Sequence, residues 1–162
     1  PRWKPTAFEG IVEMEEYKPG DIVEIETDDG LAYVQVTHAH PSYPPVVKFL
    51  NGPYQKRPDN VASLFSGKEE ESIAMVPLAG VLKKLNLPHS KIGEAEIPYG
   101  ERKFPMFRMP VRGKQGEIIY WWFWDGQGLS YSSELDEAQK KMPLREVMAS
   151  DRFLQKICEG AR

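Results

Sequence analysis

The sequence predicts an α+β domain: a mainly antiparallel sheet with helices packed against it and a helical C-terminus. Short alternating segments bounded by turn residues run through much of the chain, as in antiparallel sheets. Fourteen prolines and many aromatic residues (seven Phe, seven Tyr and four Trp in 162 residues) favour short strands and ordered loops over a helical bundle. Helical periodicity is confined to one middle segment and the tail. The length predicts a single domain over residues 1–162.

A β-hairpin near the N-terminus is the clearest local signal. Residues 21–26 alternate, which places Val23 and Ile25 towards the core and leaves Glu24 and Glu26 facing solvent. The Asp28-Asp29-Gly30 sequence predicts a turn, because Gly accepts a positive φ angle at no steric cost. Residues 31–37 form the return strand and residues 46–50 a third strand. These three strands are expected to form a curved, barrel-like sheet.

The middle of the chain combines a long loop with one helix. Residues 51–72 predict a loop held to the core by Leu64 and Phe65, followed by a short strand over residues 72–76. Pro77 fits a first helical position. Apolar residues then recur at i, i+3, i+4 and i+7 and form one stripe: Leu78, Val81, Leu82 and Leu85.

The second half predicts further strands and then helices. We expect strands over residues 95–98, 104–111, 117–124 and 129–131, the second of them at a sheet edge because prolines interrupt it. In the tail, Ser133 is expected to cap one helix, and residues 144–148 predict a second. Ser150 is expected to cap a third helix, which carries Phe153 and Ile157.

The aromatic run YWWFW at residues 120–124 has two interpretations. A central strand packed on both faces explains it, with Trp122 and Trp124 at least partly buried. The alternative is a stacking platform for a base, a sugar or a partner side chain, assisted by Arg108 and Arg112. The first interpretation is favoured, because five exposed aromatic residues would promote aggregation.

The charge is unevenly distributed along the chain. The net charge of −3 excludes a globally basic protein that coats nucleic acid. Residues 9–29 contain nine acidic residues and one Lys, whereas residues 83–114 contain eight basic and three acidic residues. The two segments either pair with each other in the fold or present an acidic and a basic face.

The sequence contains no recognisable catalytic or metal-binding motif. His38 and His40 would point the same way from a strand and could share a metal, but no third His or Cys is near them, and a polar strand end is the favoured interpretation. The chain has a single cysteine, Cys158, so an internal disulfide is excluded, and we interpret this thiol as a buried packing residue. We therefore expect no enzymatic activity, no metal and no cofactor. A small-molecule pocket under residues 51–72 is a further possibility, for which no ligand is indicated.

Neither a membrane span nor a secretory signal is indicated. No apolar run approaches the length of a membrane-spanning helix, and the first residues lack an apolar segment typical of a signal peptide. A cytoplasmic location and no membrane partner are expected.

Several short motifs resemble one known family. The segments KPGDIVEI at residues 18–25 and DGLAYVQV at residues 29–36 resemble the opening of the bacterial immunity protein 26 family, where a Gly-Asp strand precedes a Gly-Tyr-Ala-Tyr-like strand. KIG at residues 91–93, PMFR at 105–108 and WWFWDG at 121–126 resemble its second half. The resemblance covers residues 18–131 and implies a cytoplasmic, non-catalytic protein that binds and neutralises a cognate toxin.

The acidic hairpin is the candidate contact with such a partner. Glu24, Glu26, Asp28 and Asp29 could imitate a phosphate backbone and meet a cationic toxin surface, or they could serve solubility alone. A rival hypothesis starts from the same hairpin, which also resembles small Src-homology-3-like barrels, including ribonuclease toxins. That reading predicts RNA binding or cleavage through Arg108, Arg112 and the aromatic residues, and the net charge disfavours it.

Overall fold

Two antiparallel sheets form the framework of the computed structural model, which describes residues 17–65 and 72–159. The larger sheet has the strand order β4-β3-β2-β1-β5. Its strands are β1 (Asp21–Thr27), β2 (Gly30–His38), β3 (Val46–Phe49), β4 (Ile73–Met75) and β5 (His89–Glu94). The α+β class and the antiparallel pairing are confirmed. The barrel-like shape is wrong, because β4 and β5 end the sheet at opposite edges and do not pair.

The smaller sheet has the order β6-β7-β8. It consists of β6 (Phe107–Arg112), β7 (Ile118–Trp124) and β8 (Leu129–Ser132). The aromatic strand β7 is central, as its composition predicts, and Phe107 of β6 lies opposite Trp124. The two sheets meet in a cluster of buried side chains: Val46, Met75, Phe107 and Trp124.

Four short helices and one 3₁₀ turn complete the described part of the chain. They are α1 (Val61–Leu64), α2 (Leu78–Leu85), α3 (Glu137–Lys140), α4 (Ser150–Glu159) and the 3₁₀ turn Tyr99–Glu101. The predicted apolar stripe of α2 is confirmed, since Leu78, Val81 and Leu82 are buried. None of these helices is long and apolar enough to cross a bilayer.

Several local predictions differ from the structure. Residues 95–98 form no strand, and β5 occupies residues 89–94 instead, where exposed polar side chains conceal an edge strand. Asp136, not Ser133, caps α3, because its carboxylate accepts a hydrogen bond from the Gln139 N–H at 2.8 Å. Residues 144–148 form no helix, because isolated bridges tie this segment to Arg108 of β6 and Met75 of β4.

Both faces of the larger sheet are covered. One face packs against α2 and α4 and buries Val23 and Ile25. The other face packs against residues 54–65, whose Val61 and Phe65 are buried against Ile22. The predicted anchor Leu64 is instead 36% exposed, so Phe65 and Val61 hold this segment. Residues 21–25 of β1 are therefore buried on both faces, whereas Glu26 near the end of the strand is exposed.

Candidate protein-binding surface

The turn between β1 and β2 is held by several hydrogen bonds. The hydroxyl of Thr27 donates to the Gly30 carbonyl at 2.8 Å and accepts from the Asp29 N–H at 3.1 Å. Leu31 and Tyr54 exchange two backbone hydrogen bonds of 2.7 and 2.9 Å just beyond the turn. Gly30 has a φ of 132°, and a Cβ there would lie 2.6 Å from the Tyr54 carbonyl oxygen. Position 30 therefore requires glycine, and the turn has a defined shape.

Three acidic side chains are exposed at this end of the hairpin. Glu26, Asp28 and Asp29 form no ion pair with any residue in the described ranges. The C-terminal part of α4 lies beside them, since the Cys158 thiol interacts with Thr27 and Asp29. Burial raises the pKa of this thiol, and the nearby carboxylates raise it further. A helix C-terminus carries partial negative charge, so it adds to the negative potential of this surface. We call Glu26, Asp28 and Asp29 the acidic tip.

Glu24, the fourth predicted contact residue, does not face solvent. It lies on the opposite face from Val23, as the alternation predicts, but residues 54–65 cover that face and leave it 8% exposed. The guanidinium of Arg57 donates to both carboxylate oxygens, Nε to Oε2 at 2.8 Å and Nη2 to Oε1 at 3.0 Å. The Tyr33 hydroxyl donates to Oε2 at 2.7 Å. The expectation of an outward-facing Glu24 is wrong, and its charge is already neutralised within the chain.

These contacts also change the acidity of the groups that make them. The hydrogen bond from Arg57 lowers the pKa of Glu24 below its ordinary value, against the opposing effect of burial. Burial, together with the hydrogen bond to Glu24, raises the pKa of the Tyr33 hydroxyl far above its ordinary value. The carboxylate is therefore ionised and the phenol protonated at neutral pH, which is the state that their hydrogen bond requires.

Asp21 shows that the acidic and basic segments partly pair. Its carboxylate contacts the ammonium groups of Lys91 at 3.1 Å and Lys18 at 3.2 Å, and accepts the Lys18 N–H at 2.9 Å. Burial alone would raise the pKa of Asp21, but these donors more than offset it and the pKa is lowered. Four other residues of the acidic segment lie outside the described residues: Glu9, Glu13, Glu15 and Glu16.

The two neighbouring histidines are engaged in other contacts. Their rings both pack against Phe104, with centroids 5.7 Å from His38 and 5.5 Å from His40, so they lie on one side as predicted. His38 Nε2 lies 2.9 Å from the Glu101 carbonyl and His40 Nε2 lies 2.8 Å from that of Gly126. Within residues 17–65 and 72–159, no group of three or more potential metal ligands converges. His38 thus joins the end of β2 to the segment before β6, and His40 joins the loop before β3 to the β7–β8 turn.

The aromatic strand packs as predicted. Trp124 is 6% exposed and Trp122 is partly buried, which confirms the expectation for both. Trp122 forms edge-to-face contacts with Tyr120 and Tyr131, at centroid distances of 6.0 and 5.6 Å. Rings tilted against each other in this way do not present one flat row on which bases could stack.

The two arginines assigned to the platform make intramolecular hydrogen bonds. Arg108 donates to the carbonyls of Met142 and Lys140 at 2.8 and 3.2 Å, and its guanidinium lies over the Trp121 ring at 4.9 Å. Arg112 donates to the Gly116 carbonyl at 2.8 Å. These contacts hold the chain after α3 and the β6–β7 turn, so both side chains have structural roles.

Two concave regions lie beside the larger sheet. A recess under residues 57–62 has a volume of about 210 Å³ and is bordered by Ile22 and Ile92. It is smaller than typical small-molecule sites, which start at roughly 300 Å³. An open cleft of about 930 Å³ lies between the end of β2 and residues 94–104. It is lined by His38, Glu96, Arg102 and Phe104, whose polar groups mostly bond to neighbouring residues.

No protein-family model matches the chain, and comparison with curated proteins and with solved structures also gives no match. Sequence reasoning identified the three residues of the acidic tip but missed Arg57, whose contact with Glu24 spans 33 positions and leaves no local pattern.

Proposed function

We propose that this chain is a non-catalytic bacterial immunity protein, which binds a cognate toxin in the cytoplasm and neutralises it through a cationic surface of that toxin. The acidic tip is the observation that carries the proposal. Its three exposed carboxylates lie at the end of β1 and on the adjoining turn, whose shape is fixed by hydrogen bonds, and they have no cationic partner among the described residues. The motifs at residues 18–36 and 91–126, which resemble an immunity protein family, support the same function.

The physical advantage of such a surface lies in association. Exposed like charges repel one another and do not stabilise the fold, and at physiological salt this repulsion is screened beyond about 8 Å. A cationic partner, in contrast, is attracted before contact and is oriented as it approaches. A turn that is already ordered also reduces the entropy lost on binding. The tip therefore suits a protein whose task is rapid capture of a basic partner.

The first experiment identifies the toxin. The proposal predicts that a large secreted protein is encoded directly upstream of this chain, and the probe is the C-terminal domain of that protein. Growth of bacteria that express this domain should be restored by co-expression of the full chain. Absence of rescue and of binding would overturn the proposal. Turnover by the purified chain, lost on a single substitution, would show an enzyme instead, and salt-dependent RNA binding at moderate ionic strength would favour the barrel-type RNA hypothesis.

The second experiment tests the surface. We expect the triple variant Glu26→Gln, Asp28→Asn, Asp29→Asn to associate with that toxin domain more slowly and with a flatter dependence on ionic strength. The control is Glu134→Gln, Glu146→Gln, Asp151→Asn, which removes the same number of exposed negative charges from other elements. Equal rates and salt slopes for the two variants would show that the acidic tip is not the contact surface.

A further inference from the structure

We infer that the chain forms a symmetric dimer in which β8 pairs with β8 of a second copy, joining the two smaller sheets into one six-stranded sheet. This surface is separate from the acidic tip and does not depend on the proposed function. β8 spans Leu129–Ser132 and lies at one edge of the smaller sheet, where β7 is its only strand neighbour among the residues described.

The other sheet edges are covered or protected. Residues 143–145 cover the outer side of β6, since the Arg108 N–H donates to the Pro143 carbonyl at 2.9 Å and its carbonyl accepts the Arg145 N–H at 2.7 Å. Met148 covers β4 with a 2.9 Å hydrogen bond from its N–H to the Met75 carbonyl. β5 has no such cover from the part of the chain that the structure describes, but it carries Lys91 and a change of register against β1. Charges and bulges of this kind prevent edge-to-edge pairing.

Within residues 17–65 and 72–159, β8 has none of these protective features. Residues 126–133 (GQGLSYSS) contain no charged residue and no proline, and the pairing of β8 with β7 is regular. Two copies could therefore approach along this edge without electrostatic repulsion. The exposed backbone donors and acceptors of an edge strand are a template for another strand.

The exposed side chains of β8 suit a second copy. Leu129 and Tyr131 are 58% and 69% exposed and lie on one face of the sheet, opposite Trp124 and Trp122 of β7. In an antiparallel pair centred on Ser130, Leu129 of each copy lies opposite Tyr131 of the other. Both strands have the same sequence and run in opposite directions, so one twofold rotation axis relates every contact to its equivalent in the other copy. It also brings together the two aromatic clusters formed by Tyr120, Trp122 and Tyr131.

The same geometry limits the assembly to two chains. Pairing of β8 with β8 uses the exposed edge of both smaller sheets, and residues 143–145 occupy the opposite edge at Arg108 of β6. The dimer is therefore closed, and no further copies can add by the same contact.

The test measures the mass of the full chain by sedimentation equilibrium over a wide concentration range. We expect the mass to rise with concentration from the chain mass of 18.5 kDa to twice that value. Ser130→Lys places two like charges near the axis and should weaken self-association at least about tenfold. Ser90→Lys, the same change at an exposed position of the other uncovered edge strand, β5, should leave it unchanged.

Three results would overturn the inference. The first is a wild-type chain that stays monomeric at every concentration. The second is a dimer of unchanged affinity in Ser130→Lys, which would place the interface elsewhere. The third is growth beyond two chains, which the closed arrangement forbids. Near-UV circular dichroism of each variant establishes that it is folded, so that loss of the dimer reflects the edge and not unfolding.

Discussion

Arg57 forms a two-pronged ion pair with Glu24, through bonds of 2.8 and 3.0 Å between its Nε and Nη2 and the two carboxylate oxygens. The carboxylate belongs to β1, which lies next to the central strand of the larger sheet, and the guanidinium belongs to the segment that covers this face. The pair therefore joins two elements that are separated by 33 positions in the chain. Because of this pair, Glu24 has a structural role, although the alternation along β1 predicts that it faces solvent.

Glu24→Gln is expected to destabilise the fold. The amide keeps the size of the side chain but loses the charge, and it cannot accept both guanidinium bonds and the Tyr33 hydroxyl at once. A buried group that loses charge-assisted hydrogen bonds costs about 1–3 kcal/mol. The measurement is the free energy of unfolding in urea at neutral pH.

Glu26→Gln provides the matched control. Glu26 lies on the same strand and is exposed without an ion pair to described residues, so its change should alter the free energy of unfolding by less than about 0.5 kcal/mol. Equal effects of the two substitutions would contradict the structural role assigned to Glu24.

Acid should remove this stabilisation in a defined pH range. The pKa of Glu24 is lowered in the folded state from an ordinary value of 4.5, so below that value the unfolded state binds more protons than the folded one. The contribution is complete above about pH 4.5 and is lost as the pH falls through the lower, folded-state pKa. Wild type should therefore lose more stability than Glu24→Gln between neutral pH and about pH 3, which urea midpoints along a pH series will show. Parallel pH profiles would mean that the pKa of Glu24 is not lowered in the folded protein.

Local patterns in the sequence were sufficient to predict the strands of the first hairpin, the apolar stripe of α2 and the central position of β7. Each of these depends on a period of two or 3.6 within one segment. They were not sufficient for β5, an edge strand without apolar alternation, or for residues 144–148, whose conformation depends on pairing with distant strands. Contacts across many residues leave no mark on local periodicity.

The same limit applies to the candidate surface. Glu26, Asp28 and Asp29 were predictable, because turn chemistry and alternation place them outside. Glu24 follows the same alternation, and only the packing of residues 54–65 onto its face reverses the expectation. A period of two identifies opposite faces of a strand but cannot say whether both are covered.

Gly30→Ala should be strongly destabilising. The backbone at position 30 has a φ of 132°, and the added methyl would meet the Tyr54 carbonyl oxygen at 2.6 Å. We expect a loss of at least about 2 kcal/mol from the strained backbone and this clash together. Gly80→Ala is the control, and its effect on the free energy of unfolding should have the opposite sign, because Gly80 lies in α2 and no atom of another element lies within 4 Å of the added methyl. It should stabilise by about 0.5–1 kcal/mol in the same urea titrations. A neutral Gly30→Ala would show that the turn adapts.

Trp124 should be the side chain on which the contact between the two sheets most depends. It is 6% exposed, packs with Phe107, Val46 and Met75, and carries the Arg145 guanidinium at 4.7 Å from its ring centroid. Trp124→Ala is expected to cost about 3–5 kcal/mol, the range for a large aromatic residue removed from a core.

The comparison is with Trp122→Ala, two residues away on the same face of β7. Trp122 is only partly buried and contacts Tyr120 and Tyr131 within the smaller sheet, so its removal should cost clearly less. Trp124→Phe keeps most of the apolar contact and provides a folded intermediate case if the alanine variant does not fold. Urea unfolding gives the order of stability of the variants. Hydrogen exchange shows where stability is lost: in Trp124→Phe, exchange should be accelerated relative to wild type more for the amides of β6 and β7 than for those of β1 and β2. A larger cost at position 122 than at position 124, or uniform acceleration of exchange in both sheets, would contradict a sheet contact centred on Trp124.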